Sequence, residues 1–123
     1  MPNVLLLQFA TDPESAKRRE ALGAAHVAFV EDEPRWPNFF DTVTARRPDA
    51  IALAFSWLPA YAREAARYLG EGFNTRDIPL LLVDVLPSER PSLEAYLRTY
   101  QPNARFVDRS ELADAAARIC SVA

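Results

Sequence analysis

Of the 123 residues only three are glycine, one is cysteine, one is histidine and one is lysine, and each scarcity removes a class of chemistry. Gly23, Gly70 and Gly72 cannot compose G-x-G-x-x-G or G-x-x-x-x-G-K-[ST], so neither glycine-rich phosphate-binding turn is present. Cys120 alone makes no intrachain disulfide and no C-x-x-C zinc knuckle, and one histidine cannot supply H-E-x-x-H. His26 is the only imidazole available as base to a serine or cysteine nucleophile. No apolar run reaches the ~18 residues of a membrane span, and the opening Met-Pro-Asn-Val lacks the basic stretch of a signal peptide. A cytoplasmic protein is therefore expected, with no membrane partner. Seventeen acids against fourteen bases give a net charge of −3, and the longest basic run is Lys17-Arg18-Arg19, which offers nucleic acid no electrostatic footprint.

What is present in quantity is apolar residues, half of the chain, enough for one compact domain over residues 1–123. They fall into short continuous runs: residues 4–9 (VLLLQF), 26–30 (HVAFV), 50–55 (AIALAF), 79–85 (PLLLVDV) and 104–107 (ARFV). Runs this apolar predict parallel strands buried on both faces. Between them the spacing turns helical. A first helix is predicted over about residues 13–22, capped by Thr11 or Asp12, begun by Pro13 and stopped by Gly23. A second starts near Trp36 or Pro37, buries Phe39, Phe40 and Val43, and ends at Arg46-Arg47-Pro48. The third runs from about 59 to 69 with Tyr61, Ala65, Tyr68 and Leu69 on one side and Gly70 as terminator. Leu93, Tyr96, Leu97 and Tyr100 mark the fourth, capped by Ser88 or Ser92 and stopped by Pro102; a fifth follows Ser110 as its cap. Five strands alternating with five helices give an α/β, flavodoxin-like (βα)5 three-layer sandwich with a parallel sheet in the order 2-1-3-4-5. Any ligand belongs at the carboxyl ends of strands one, three and four, where the winding reverses.

The element order, the Gly23 turn, the stretch Arg47-Pro48-Asp49-Ala50-Ile51-Ala52-Leu53, Leu58-Pro59 after strand three and Ile78-Pro79-Leu80-Leu81-Leu82-Val83 together resemble the receiver domain of bacterial two-component response regulators. That resemblance implies an acid pair after strand one, a phosphoacceptor aspartate ending strand three, a hydroxyl ending strand four and a lysine ending strand five. In such a site the acids hold Mg²⁺, and the metal and the lysine neutralise the phosphoryl oxygens. This chain departs at each position. Gln8-Phe9 stand for the acid pair, Ala54 or, in the alternative count, Phe55 for the nucleophile, Asp84 for the hydroxyl and Arg109 for the lysine. A carboxylate at Asp84 would repel an acyl phosphate. With a two-residue insertion Asp12 could still serve as one acid of the pair. Lys17, read as midway along the first helix, stands away from the strand ends.

Single residues carry alternatives. Asp84 reads as a functional carboxylate paired with Arg109, or as a structural ion pair or helix cap. Ser56 and Trp57 either line a pocket or cover the sheet end; Gln8 either meets a ligand or satisfies backbone. His26 is expected on the surface, Cys120 as a packed small side chain, and the Tyr96 and Tyr100 stripe mostly in the core. The resulting expectation is a degenerate receiver, a stand-alone signalling module without catalytic residues, metal or cofactor. It acts through a protein partner or a second copy on the face of helix four, strand five and helix five, where Arg98, Tyr100, Arg105, Arg109 and Arg118 are candidates. The alternative is a small-molecule or nucleotide module, conceivably an enzyme, with Gln8, Thr11, Asp12, Ser56, Asp84 and Arg109 converging at the strand ends.

Overall fold

A computed structural model describes residues 3–121, the side chains of residues 100, 120 and 121 excepted. The five strands β1 (Val4–Leu7), β2 (Phe29–Asp32), β3 (Ala50–Ala54), β4 (Leu80–Val83) and β5 (Ala104–Val107) form one parallel sheet in the order β2-β1-β3-β4-β5. This is the flavodoxin-like topology expected from the sequence. The helices are α1 (Ser15–Ala24), α2 (Asn38–Arg46), α3 (Pro59–Glu71), α4 (Arg90–Tyr100) and α5 (Arg109–Ser121).

The continuous apolar runs make sense once the sheet is seen from both faces. Successive side chains of a strand point to opposite sides, so Leu5, Leu7, Ile51, Leu53, Leu80 and Leu82 meet α2, α3 and α4. Val4, Leu6, Ala50, Ala52, Leu81 and Val83 instead meet α1 and α5. The three inner strands are buried along their whole length. β2 and β5 are not: as edge strands they are only partly covered, which corrects the expectation that all five are buried on both sides.

Several boundaries also move, each for a local reason. The first helix does not stop at Gly23. It runs on to Ala24 and closes where the His26 amide donates to the Gly23 carbonyl (3.0 Å) and the Val27 amide to the Leu22 carbonyl (3.0 Å), with His26 left-handed at φ 58°. That is a Schellman closure using histidine where glycine is usual. Residues 26–28 thus serve the turn and β2 begins only at Phe29; His26 is exposed, as expected. Gly70 likewise lies inside α3, buried beside Ala66 and Leu69, and the helix ends before Gly72. Neither Ser88 nor Ser92 caps α4; Glu89 precedes it, and the Ser92 hydroxyl donates to the Glu89 carbonyl (3.2 Å). Ser110 is not the cap of α5 either. Asp108 Oδ1 accepts the Glu111 amide (3.2 Å) while Glu111 Oε1 accepts the Asp108 amide (3.1 Å), a reciprocal capping box with the Ser110 hydroxyl added at 2.6 Å. Tyr96 is partly buried against the core; the side chains of Tyr100 and Cys120 lie outside the described residues. Among the described residues no helix is long and apolar enough to cross a membrane.

Candidate functional site

At the carboxyl ends of β1, β3 and β4 the chain brings together Gln8, Asp12, Ser56 and Asp84, four of the residues expected there. At their centre stands Arg18, whose side chain is 0% exposed. Its guanidinium has five N–H groups and makes five contacts. Nη1 donates to Asp12 Oδ2 (2.7 Å) and Gln8 Oε1 (3.1 Å); Nη2 donates to Ser56 Oγ (2.6 Å) and Asp84 Oδ2 (3.0 Å); Nε also donates to Asp84 Oδ2 (3.3 Å). The donor set is used up.

The partners are themselves held. Asp12 Oδ1 accepts the Glu14 amide (2.9 Å) where the chain turns into α1. Asp84, left-handed at φ 58°, turns its Oδ1 to the Arg109 amide (2.9 Å) at the start of α5. Gln8 Nε2 donates to the Ser15 carbonyl (3.1 Å) and to Glu31 Oε2 (2.8 Å), and Arg19 Nη1 reaches the same Glu31 oxygen (2.8 Å). Gln8 therefore satisfies backbone, one of the two roles foreseen for it, and its remaining contacts go to Glu31 and Arg18 within the chain.

Two expectations change at this site. Asp84 is ion-paired, but with Arg18; Arg109 offers it only a backbone amide, and the Arg109 guanidinium goes to Glu14. Lys17 is not midway along the helix, because α1 starts at Ser15. It sits in the first turn and its ammonium reaches Glu14 (3.2 Å). The hydrogen bond from Lys17 and the charges of Lys17 and Arg109 hold the Glu14 carboxyl below the usual glutamate range. The Ser110 hydroxyl and the amides of Glu111 and Ser110 do the same for Asp108.

Ala54 ends β3 with only a methyl, and Phe9 and Phe55 are buried, so none of the three presents a nucleophile. Trp57, 38% exposed, lies over the sheet end with its indole N–H donating to Thr11 Oγ1 (3.2 Å), bridging the loops after β3 and β1. The residues do not fit a divalent cation. Both carboxylates that could ligate one are turned onto the guanidinium, and among the described residues no group of three His, Cys, Asp or Glu side chains could hold a metal.

Arg18 is the member that sequence reasoning missed. A charged residue on a helix is exposed by default, yet Ser15, Arg18 and Leu22 share the buried stripe of α1 at spacings of three and four. An arginine interrupting that stripe was the available signal.

No protein-family model matches the chain, and no curated protein matches it significantly. Among solved structures, that of the E. coli constitutive lysine decarboxylase superimposes with a TM-score of 0.58 at 12% sequence identity, covering 97% of this chain and 16% of that one. The match agrees with the α/β topology and carries the fold alone, since this chain spans less than a fifth of the protein it resembles.

Proposed function

We propose that the chain is a pseudo-receiver: a cytoplasmic signalling module of receiver-like design that performs no phosphotransfer and acts through contact with another protein. The observation that carries this reading is the saturated Arg18 guanidinium, which fills the space between Asp12, Ser56 and Asp84 where an ion and a phosphoryl group would have to enter. A receiver-like scaffold whose reactive corner is closed by an internal cation retains its outer faces as its means of action.

The face made by α4, β5 and α5 suits that role. Arg98, Arg105 and Arg118 are exposed there, Arg98 leaning on Glu94 (3.3 Å) and Arg118 on Asp114 (3.0 Å). The Arg90 guanidinium lies 4.7 Å over the Phe106 ring, and beside them is a groove of about 370 Å³ whose walls include Leu97 and Gln101. Tyr100, the remaining candidate, has its side chain outside the described residues. Arginine and aromatic side chains around a groove are what interface hot spots are made of.

The small-molecule reading is less well supported. The space left over Ser56 is bordered by Glu14, Asp84 and Asp108 as well as Arg109, and three carboxylates oppose a phosphate there.

Two measurements test the proposal. Incubation with acetyl phosphate and Mg²⁺ should leave the intact mass unchanged, and an acid-labile adduct on the chain would overturn it. Affinity capture from the source cell with the wild-type chain and with Arg98→Glu/Arg105→Glu should recover a signalling protein that the charge-reversed form loses. Capture insensitive to the reversal would remove the α4–β5–α5 face from the proposal.

A further inference from the structure

A second concavity lies away from the Arg18 centre, between the segment leading into α2 and the outer side of α3. It measures about 270 Å³ and is lined by Pro34, Arg35, Trp36, Phe39, Tyr61 and Glu64, with Ala65 behind them. Its aromatic walls are exposed and yet fixed. Trp36 is 50% exposed, although its indole stacks on Tyr68 (centroids 4.2 Å, 26° between planes) and meets Phe39 and Phe40 at 6.0 and 5.2 Å. Tyr61 is 40% exposed and braced edge-on by Phe9 at 5.3 Å.

We propose that this slot is a binding site for an alkyl cation, a guanidinium or ammonium group on a short apolar stem. Three observations carry it. The chain already demonstrates the chemistry, because the Arg35 guanidinium sits 4.9 Å from the Phe9 centroid and 5.2 Å from that of Tyr61. Ring faces of this kind attract cations through their quadrupole.

The charges set the sign. Arg35 is matched by Glu33 (3.1 Å), whereas Glu64, one turn after Tyr61, has no hydrogen bond or close ion pair among the described residues; Arg67 senses its charge only at longer range. The lining's two charges, Arg35 and Glu64, sum to zero, but Arg35 is engaged by Glu33 and the rings, so Glu64 is the charge of the lining left without a close partner, and a carboxylate beside ring faces favours a cation over an anion. Size sets the class. The volume lies below the ~300 Å³ at which pockets for larger ligands begin, so it admits one side chain or a small amine and no nucleotide.

Arg35 then competes with the ligand for the Tyr61 face, and the site is tuned by its own sequence. This site is independent of the α4–β5–α5 face and of the pseudo-receiver reading.

The test uses the full chain with Trp57→Phe, which leaves Trp36 as the only indole. At constant ionic strength set with NaCl, n-butylguanidinium and a capped Gly-Arg-Gly peptide should each change Trp36 fluorescence saturably, with midpoints on the order of 1–10 mM. Glu64→Gln, an exposed change whose folding is verified by its melting curve, should weaken binding about three- to fivefold. Arg35→Gln should strengthen it by a similar factor, which a purely structural slot would not do. Peptide binding tighter than the free cation identifies a partner's side chain as the natural ligand; equal or weaker binding identifies a free cation. No saturation by either probe, an unchanged midpoint in Glu64→Gln, or butyrate binding in their place would overturn the proposal.

Discussion

Arg18 shows what a single side chain can decide. A buried guanidinium is tolerable only because every N–H finds an oxygen, and the two carboxylates depend on it in return. Arg18→Met keeps the volume and removes the charge, leaving the buried Asp12 and the part-exposed Asp84 without their partner. The expected loss is about 3–5 kcal/mol, or a fall in Tm of roughly 10–20 °C for a domain of this length. Adding Asp12→Asn and Asp84→Asn should recover much of it; a single variant that melts within a few degrees of wild type would contradict this account. Asp108 works at the opposite extreme of exposure. Its folded carboxyl titrates below the ordinary aspartate value because the Ser110 hydroxyl and nearby amides bind the ionised form. Its contribution is therefore complete above the unfolded value of about 3.9 and is lost as pH falls through the lower folded one. Asp108→Asn, which keeps a capping oxygen, should flatten the decline in Tm between about pH 4 and pH 2 and lower the Tm at pH 7. An acid limb identical to wild type would assign the capping box no part in it. Sequence located Gln8, Asp12, Ser56 and Asp84, since strand ends are readable from apolar runs. Arg18 is marked there only by its place in the stripe with Ser15 and Leu22, and its burial depends on three other segments arriving at the same point.

At the scale of the element, a glycine near a helix end does not by itself terminate the helix. Gly23 and Gly70 stay helical, and the turn after α1 is made by His26 in a left-handed conformation that costs an L-residue something. Gly72 is different. A Cβ there would overlap Thr75 Oγ1 and come within 3.2 Å of the Phe40 ring. The Thr75 hydroxyl is buried and committed to the Leu69 carbonyl (2.7 Å), so it cannot move aside without giving up that bond. Gly72→Ala should cost about 1–3 kcal/mol in urea unfolding with an unchanged slope, and a neutral result would mean that the loop after α3 yields easily. Cap identity was equally hard to read. A serine, an aspartate and a glutamate within four residues can each cap, and only the reciprocal geometry of Asp108 and Glu111 chooses among them.

At the scale of the molecule, the topology was the most legible feature. A strand buried on both faces must be apolar at every position, and helices on both faces follow from that. The edges carry a mark of their own: β2 (Phe29–Asp32) contains Glu31 and Asp32 and β5 (Ala104–Val107) contains Arg105, whereas the inner three strands are apolar at every position.

The guanidinium at the strand ends has one consequence for the molecule as a thermodynamic object. A diffusible ion stabilises a protein according to its concentration, by RT ln(1 + [L]/Kd), and its removal by a chelator reverses the gain. A cation delivered by the chain itself has no such dependence, and arginine cannot be discharged within any physiological pH. Melting curves in excess Mg²⁺ and in excess chelator at equal ionic strength should therefore superimpose, and a separation of more than about 2 °C would show an exchangeable ion in the structure. The conformation at that corner is then set when the protein is synthesised and folded, independent of the ion content of its surroundings.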